Sequence, residues 1–160
     1  MYKKITILTI IFIIADQLIK LLVSNTILLG NQNEIIPNFF YLTNVHNDGA
    51  AWSMFSGNVF VLAIIGVLAL IFVYFAFIKD NQLTKVEIVV YSLLIGGIVG
   101  NLIDRIFLGY VVDYLGFIII NYYFPIFNLA DIGIVLSIGF ILFITIKEEI
   151  LCKKSELKKM

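Results

Sequence analysis

Charged residues are scarce in this 160-residue chain: they make up 14% of it, against roughly 25% in ordinary soluble domains. Hydrophobic residues account for 61%, and this balance predicts an integral membrane protein with one compact domain, residues 1–160. Because the formal net charge is zero, bulk charge does not indicate a nucleic-acid or acidic partner. One cysteine (Cys152) and one histidine (His46) exclude an internal disulfide and are too few for a zinc site, so no metal or cofactor is expected.

Four apolar stretches are long enough to cross a hydrocarbon core of about 30 Å, which takes about 20 helical residues. They run approximately over residues 5–23, 59–78, 86–107 and 127–146. The first follows Lys3 and Lys4, as in a signal sequence. However, it contains Asp16, Gln17 and Lys20, and no cleavage site of small residues follows it. We therefore expect a retained helix.

The distribution of lysines predicts how these helices are oriented. Lysines precede the first span, flank the short turn at 79–85 and recur in the tail at 147–160, whereas the loops at 24–58 and 108–126 contain no Lys or Arg. Basic loops remain on the cytoplasmic side of a membrane. Both termini and the short turn are therefore predicted to be cytoplasmic, and the two long loops to face outward.

Both outer loops have the composition of β-strands. Residues 39–45 predict a strand, residues 47–49 (Asn-Asp-Gly) predict a turn, and in the second loop Gly116 is a possible bend. The predicted fold is an all-α membrane protein: four transmembrane helices with a small extracytoplasmic β-sheet formed by the two outer loops.

Several polar residues lie in or beside the apolar stretches. Asp16 and Lys20 are four residues apart, which suits a helical ion pair. A charge as deep as Asp16 costs about 3 kcal/mol in the membrane, so it should face other helices, for either a structural or a functional reason. Gly96 and Gly100 have the G-x-x-x-G spacing of close helix packing.

Further polar residues follow near the outer surface. Asn101, Asp104 and Arg105 are predicted to share a helix face, where an interfacial ion pair is the ordinary explanation. Asp113 lies in the second outer loop. Asp131 lies in the first turn of the last span, where Asn128 is a candidate N-cap. Each aspartate alone is more often structural. Two carboxyl groups brought together in a desolvated site, however, would share a proton and could activate water.

Five segments in order resemble lipoprotein signal peptidase (signal peptidase II), a bacterial membrane aspartyl peptidase. They are spread over nearly the whole chain and read DQLIK, NDGAAWS, GGIVGNLIDR, VVDY and FNLAD. The resemblance implies that Asp113 and Asp131 are a catalytic dyad that cleaves prolipoproteins on the N-terminal side of a diacylglyceryl-modified cysteine. Trp52 stands where the family usually has Phe, a difference that bears on substrate or inhibitor fit and leaves the dyad intact.

The resemblance also implies a set of supporting or substrate-binding residues. They are Asp16, Lys20, Asn47, Gly49, Asn101, Asp104, Arg105 and Asn128. Within this set, Asp104 is expected to orient Arg105. The implied setting is the bacterial cytoplasmic membrane, with the active site at the outer face, lipid-modified prolipoproteins and membrane lipid as partners, no metal, and a monomer as the default state.

Two alternatives remain open from the residues themselves. One is another intramembrane aspartyl peptidase of the prepilin peptidase kind, whose aspartates work from the cytoplasmic side. The other is a small channel or transporter with a polar path through Asp16, Asp104 and Arg105. The second alternative predicts ion flux, and it predicts that the loss of Asp113 alone does not stop peptide cleavage.

Overall fold

The computed structural model describes residues 1–50 and 54–157, and Trp52 therefore lies outside the described residues. Four helices are long and apolar enough to cross a membrane, as the sequence predicts. Their bounds are α1 Tyr2–Thr26, α2 Val59–Val73, α3 Lys85–Phe107 and α4 Leu129–Leu157. A π-helical turn, Tyr74–Ile78, prolongs α2.

The central helix of the bundle is α3, which packs against α1, α2 and α4. It begins with a capping box, in which the Thr84 hydroxyl oxygen accepts from the Glu87 backbone N–H and the Glu87 carboxylate accepts from the Thr84 N–H. Its glycines allow the close approach of its neighbours. A Cβ on Gly96 would lie 2.8 Å from the Phe12 ring of α1, and one on Gly97 would collide with the Ala130 carbonyl oxygen of α4.

The two outer loops form one four-stranded antiparallel sheet in the order β1-β2-β3-β4. The strands are β1 Gln32–Ile36, β2 Phe40–Asn47, β3 Val111–Ile119 and β4 Tyr122–Tyr123. The predicted small sheet between the two long loops is therefore confirmed, and its central pair, β2 with β3, joins the first loop to the second.

The bend predicted at Gly116 is wrong, because β3 continues through this residue. The glycine instead makes room for a neighbouring side chain: a Cβ here would collide with the ring of Tyr41 on β2. Tyr41 is buried in that position. The missing side chain therefore serves packing between strands rather than a change of direction.

Two apolar clusters join these elements. One lies among α1, α2 and α3, and its buried members are Ile5, Val73, Ile78, Ile88, Tyr91 and Leu94. The other joins α1 to β3 through Val23, Ile27 and Tyr114. The second cluster fixes the sheet against the outer end of α1, and so positions β3 over the outer ends of the helices.

Candidate active site

Asp113 is the third residue of β3 and is only 2% exposed. Both of its carboxylate oxygens accept a hydrogen bond from an asparagine amide, Oδ2 from Asn47 and Oδ1 from Asn128, each at 2.7 Å. Asn47 reaches it because Asn47 pairs with Val111, two residues before Asp113 on the neighbouring strand. Such diagonal neighbours lie on the same face of a sheet.

Asn128 reaches Asp113 because the preceding residue is bound to the sheet. Phe127 forms an antiparallel bridge with Leu115: the Leu115 N–H donates to the Phe127 carbonyl at 2.8 Å, and the Phe127 N–H donates back at 3.1 Å. This bridge ends the second outer loop beside the strand that carries Asp113. The chain then enters α4 with Asn128 fully buried.

Asp131 lies three residues after Asn128, in the first turn of α4. The Asn128 side-chain oxygen accepts from the Asp131 N–H at 3.0 Å, and the Asp131 carboxylate accepts from the Asn128 N–H at 3.1 Å. This reciprocal arrangement is a capping box, and it confirms Asn128 as the N-cap. Asn128 therefore contacts both carboxyl groups, one through its side-chain amide and the other through its backbone.

Three asparagine amides hold the carboxyl groups, and a donor on each amide oxygen fixes the direction of the amide nitrogen. The Asn47 oxygen accepts from the Gly49 N–H at 2.9 Å, and the Asn101 oxygen accepts from the Lys20 ammonium at 3.0 Å. The Asn128 oxygen is occupied by the capping bond. Each NH₂ group must therefore point towards a carboxylate; that of Asn101 donates to Asp131 Oδ1 at 2.7 Å.

The electrostatics of the pair favour a shared proton. Burial raises the pKa of Asp113 to about 7 from its usual 3.8, and the nearby charge of Asp131 adds to this rise. The hydrogen bonds from Asn47 and Asn128, and the charge of Lys20, act in the opposite direction and are outweighed. Near neutral pH the pair therefore favours one ionised and one protonated carboxyl group.

A buried ion group lies next to the pair. The Lys20 ammonium is 2.9 Å from a carboxylate oxygen of Asp16 and 2.9 Å from one of Asp104, and these three side chains are 3%, 0% and 2% exposed. The pairing of Asp16 with Lys20 expected from their spacing is therefore present. A Cβ on Gly100 would lie 2.6 Å from the Asp16 carboxylate, so the glycine of α3 makes room for this group.

The two aspartates of the ion group also bind the backbone of the elements that carry the pair. Asp16 accepts from the Ala130 N–H of α4 at 3.0 Å, and Asp104 accepts from the Val112 N–H of β3 at 3.2 Å. Ala130 precedes Asp131, and Val112 precedes Asp113. One buried ion group on α1 and α3 therefore fixes both segments that supply the carboxyl groups.

The expectation that Asp104 orients Arg105 is wrong. Asp104 faces Lys20, whereas the Arg105 guanidinium donates to the Asn101 carbonyl at 3.3 Å and to the Gly49 carbonyl at 3.1 Å. Adjacent helix residues point about 100° apart, which separates the two side chains. The buried Arg105 Nε has no hydrogen-bond partner in the described part of the chain.

Sequence reasoning gave no role to three polar residues near the site. The Gln17 amide donates to the Asp104 carboxylate at 3.0 Å and to the Gly100 carbonyl at 3.2 Å. The Asp48 carboxylate accepts from Ser56 at 2.5 Å and from the Gly57 N–H at 3.1 Å, closing the loop that follows β2. Tyr114, beside Asp113, is the third. Gln17 could have been found as a polar residue within an apolar span.

A cavity of about 860 Å³ lies beside the carboxyl pair, between α2 and α4 with α3 behind it. Its polar lining at the outer end comprises Asn47, Asn101, Arg105, Asp113 and Asp131. The rest of the lining is almost entirely apolar and extends along the helices to Phe77 and Leu142. A long apolar ligand placed there would have its polar end at the two carboxyl groups.

This arrangement is suited to the hydrolysis of a carbonyl compound. One carboxylate can remove a proton from water, and a protonated carboxyl group can donate to a developing oxyanion. Within residues 1–50 and 54–157, the structure brings together no set of three His, Cys, Asp or Glu side chains that could hold a metal ion. The eight supporting residues expected from the sequence all lie in, or directly bound to, this one site.

A family model and named relatives identify one family, and two solved structures share the fold. Residues 8–147 match the family model of signal peptidase (SPase) II. The proteins called lipoprotein signal peptidase in Staphylococcus aureus strains JH9 and Newman are 39% identical over 146 residues, which cover 91% of this chain and 90% of each relative. Two solved structures of bacterial membrane enzymes are each 36% identical. The first superposes with a TM-score of 0.83, and the match covers 91% of this chain and 88% of the solved chain. The second has a TM-score of 0.79, and the match covers 89% of this chain and 92% of the solved chain.

Proposed function

The chain belongs to the signal peptidase II family of aspartic peptidases, and on this premise we propose that it removes the signal peptide from diacylglyceryl-modified prolipoproteins. It cleaves on the N-terminal side of the lipidated cysteine. One observation carries the proposal: the buried carboxyl group of Asp113 and the half-buried one of Asp131 are joined through Asn128 beside a large apolar cavity.

Asp113 and Asp131 act as the catalytic dyad. The ionised member removes a proton from water as the water oxygen attacks the scissile carbonyl, and the protonated member donates to the oxygen that becomes negative. On collapse of the tetrahedral intermediate, the C–N bond breaks and a proton passes to the leaving nitrogen. The raised pKa of Asp113, about 7, supports the sharing of one proton at neutral pH.

The remaining site residues act through these two. Asn47, Asn101 and Asn128 orient the carboxyl groups by the hydrogen bonds described above. Arg105, which lines the cavity and donates to the Gly49 carbonyl, meets the substrate backbone. A buried ion group holds the frame, and its members are Asp16, Lys20 and Asp104.

The cavity accommodates the apolar part of the substrate. Its apolar walls extend along α2 and α4 from the dyad, which suits a signal helix or the acyl chains of the lipidated cysteine. With the lysine-rich segments on the cytoplasmic side, the dyad lies at the outer face of the bacterial cytoplasmic membrane. The dyad and its partners come from one chain, which supports a monomer as the working unit.

The test is cleavage of a diacylglyceryl-modified prolipoprotein by purified protein in detergent, followed as release of the signal peptide. Wild type is compared with Asp113→Asn and Asp131→Asn, with an unlipidated substrate in parallel. Asp80→Asn is the matched control, since Asp80 is exposed on the turn between α2 and α3, far from the dyad in the chain. Both dyad variants should lose cleavage, whereas Asp80→Asn should cleave the lipidated substrate as wild type does.

Two outcomes oppose the proposal in different ways. Cleavage by either folded dyad variant at the rate of wild type would remove Asp113 and Asp131 from the catalytic step. Equal cleavage of the lipidated and unlipidated substrates would leave the peptidase in place and exclude recognition of the diacylglyceryl group.

A further inference from the structure

Tyr114 follows Asp113 on β3 and points to the opposite face of the sheet. Tyr114 is 3% exposed, and its ring lies in the apolar cluster with Val23 of α1 and Ile27, the residue that follows α1. It is not among the residues that line the cavity beside the dyad. Because successive strand residues alternate between faces, Asp113 faces the cavity while Tyr114 faces α1.

The Tyr114 hydroxyl is bound to the helix that carries the other catalytic carboxyl group. Its oxygen accepts a hydrogen bond from the Leu129 N–H at 3.1 Å, and Leu129 is the first residue of α4. The first N–H groups of a helix have no partner within the helix. In α4 the next two are bound by Asp16 and by Asn128, so Tyr114 supplies the acceptor that completes this set.

We infer that Tyr114 is a positioning residue for the peptidase reaction, fixing Asp131 relative to Asp113; this inference rests on the proposed function. Its backbone is joined directly to Asp113, and its hydroxyl holds α4 two residues before Asp131. The connection from Asp113 to the first residue of α4 therefore consists of one peptide bond, one side chain and one hydrogen bond. Burial raises the pKa of Tyr114 to about 12, so the hydroxyl is neutral near neutral pH.

Tyr114→Phe is the direct test, because it retains the buried ring and removes only the acceptor for the Leu129 N–H. Tyr41→Phe is the matched control: Tyr41 is likewise buried in the sheet, and its ring lies over Gly116 of β3. We expect kcat of Tyr114→Phe to fall on the order of ten-fold with KM unchanged, since misplacement of a catalytic group by a fraction of an ångström is costly. Tyr41→Phe should retain the kcat of wild type.

The pH profile gives a readout that a purely structural role would not change. The charge of Asp131 raises the pKa of Asp113, so a displaced Asp131 should lower that pKa. The alkaline limb of the Tyr114→Phe profile should therefore move to lower pH, and that of Tyr41→Phe should not move. The inference is overturned if the alkaline limb of the Tyr114→Phe profile stays at its wild-type pH. It is also overturned if kcat of Tyr114→Phe falls no more than that of Tyr41→Phe.

Hydrogen exchange separates this inference from the proposed function. Amides of the peptide that covers Leu129 to Asp131 should exchange faster in Tyr114→Phe than in wild type or Tyr41→Phe. Unchanged exchange would overturn the inference whatever the activity. If wild type cleaves no lipidated substrate while this exchange difference is found, the proposed function fails and the structural link between Tyr114 and α4 stands on its own.

Discussion

Replacing Lys20 by methionine should strongly destabilise the folded protein. The methionine side chain is similar in length and apolar, so the change removes the ammonium charge and leaves little empty volume. In the wild type this ammonium contacts Asp16 and Asp104 at 2.9 Å each and also donates to Asn101. All these groups are almost completely shielded from solvent.

The size of the effect follows from what remains after the change. Two carboxylates, 0% and 2% exposed, would be left without their cation. Removing one partner of a buried ion pair costs about 3–5 kcal/mol, because the remaining charge is buried and uncompensated. Here one cation serves two carboxylates, so we expect Lys20→Met to cost at least about 4 kcal/mol in the free energy of unfolding.

A second change should restore part of this loss. In Lys20→Met/Asp104→Asn, one buried charge is removed, and the Asn oxygen can still accept from the Val112 N–H that Asp104 binds. The double variant should therefore be more stable than Lys20→Met alone. Such a gain is the sign of direct coupling in a double-mutant cycle.

The assay is reversible unfolding by SDS in mixed micelles, followed by far-UV circular dichroism, for wild type, both variants and Lys3→Met. Lys3 lies on the same helix and is exposed, so its replacement should leave the free energy of unfolding within about 0.5 kcal/mol of wild type. If Lys20→Met also remains within 1 kcal/mol, or if the double variant is no more stable than Lys20→Met, the reasoning about this ion group is wrong.

Three further predictions concern Asp113 and the packing of α3. Asn47→Ala removes a hydrogen bond that lowers the pKa of Asp113, so the pKa of Asp113 should rise. The alkaline limb of the kcat/KM profile, where this carboxyl group loses its proton, should then move to higher pH. An alkaline limb that stays in place or moves to lower pH contradicts this. The pKa of Asp113 is raised from 3.8 to about 7. Its contribution to the free energy of unfolding is therefore greatest below pH 3.8 and is lost as the pH rises to about 7. In SDS unfolding, Asp113→Asn should make the free energy of unfolding depend less on pH over this range. Gly97→Ala puts a Cβ onto the Ala130 carbonyl oxygen and should destabilise by about 1–3 kcal/mol in the same unfolding assay. Gly139→Ala, where a Cβ meets nothing within 4 Å, should not; equal losses would contradict the packing argument.

The sequence was informative where short-range rules decide the structure. The length of an apolar run is sufficient to predict a spanning helix, and strand-like composition was sufficient to predict that the outer loops form a sheet. The pairing of Asp16 with Lys20 and the N-cap at Asn128 also follow from spacing within one helix. The ion pair and the N-cap each join residues that are three or four positions apart, about one helical turn.

Long-range register is what the sequence could not provide. That Lys20 also contacts Asp104 depends on how α1 and α3 slide against each other, and the neighbouring Arg105 looked like an equally good partner for Asp104. The role of Gly116 likewise depends on which β2 residue lies opposite it. The contact between Tyr114 and Leu129 requires the position of the α4 N-terminus relative to β3.

The separation of α2 from α4 determines how a ligand meets this protein. The cavity between these helices lies along the sides of the bundle rather than at one end, so an apolar molecule can enter it sideways from the lipid. The relevant concentration is then the number of ligand molecules per lipid, not per volume of water. An inhibitor measured at a fixed aqueous concentration should become weaker as detergent or lipid is added, in proportion to how strongly it partitions. Potencies for this site are comparable only when they are expressed as mole fractions in the membrane phase.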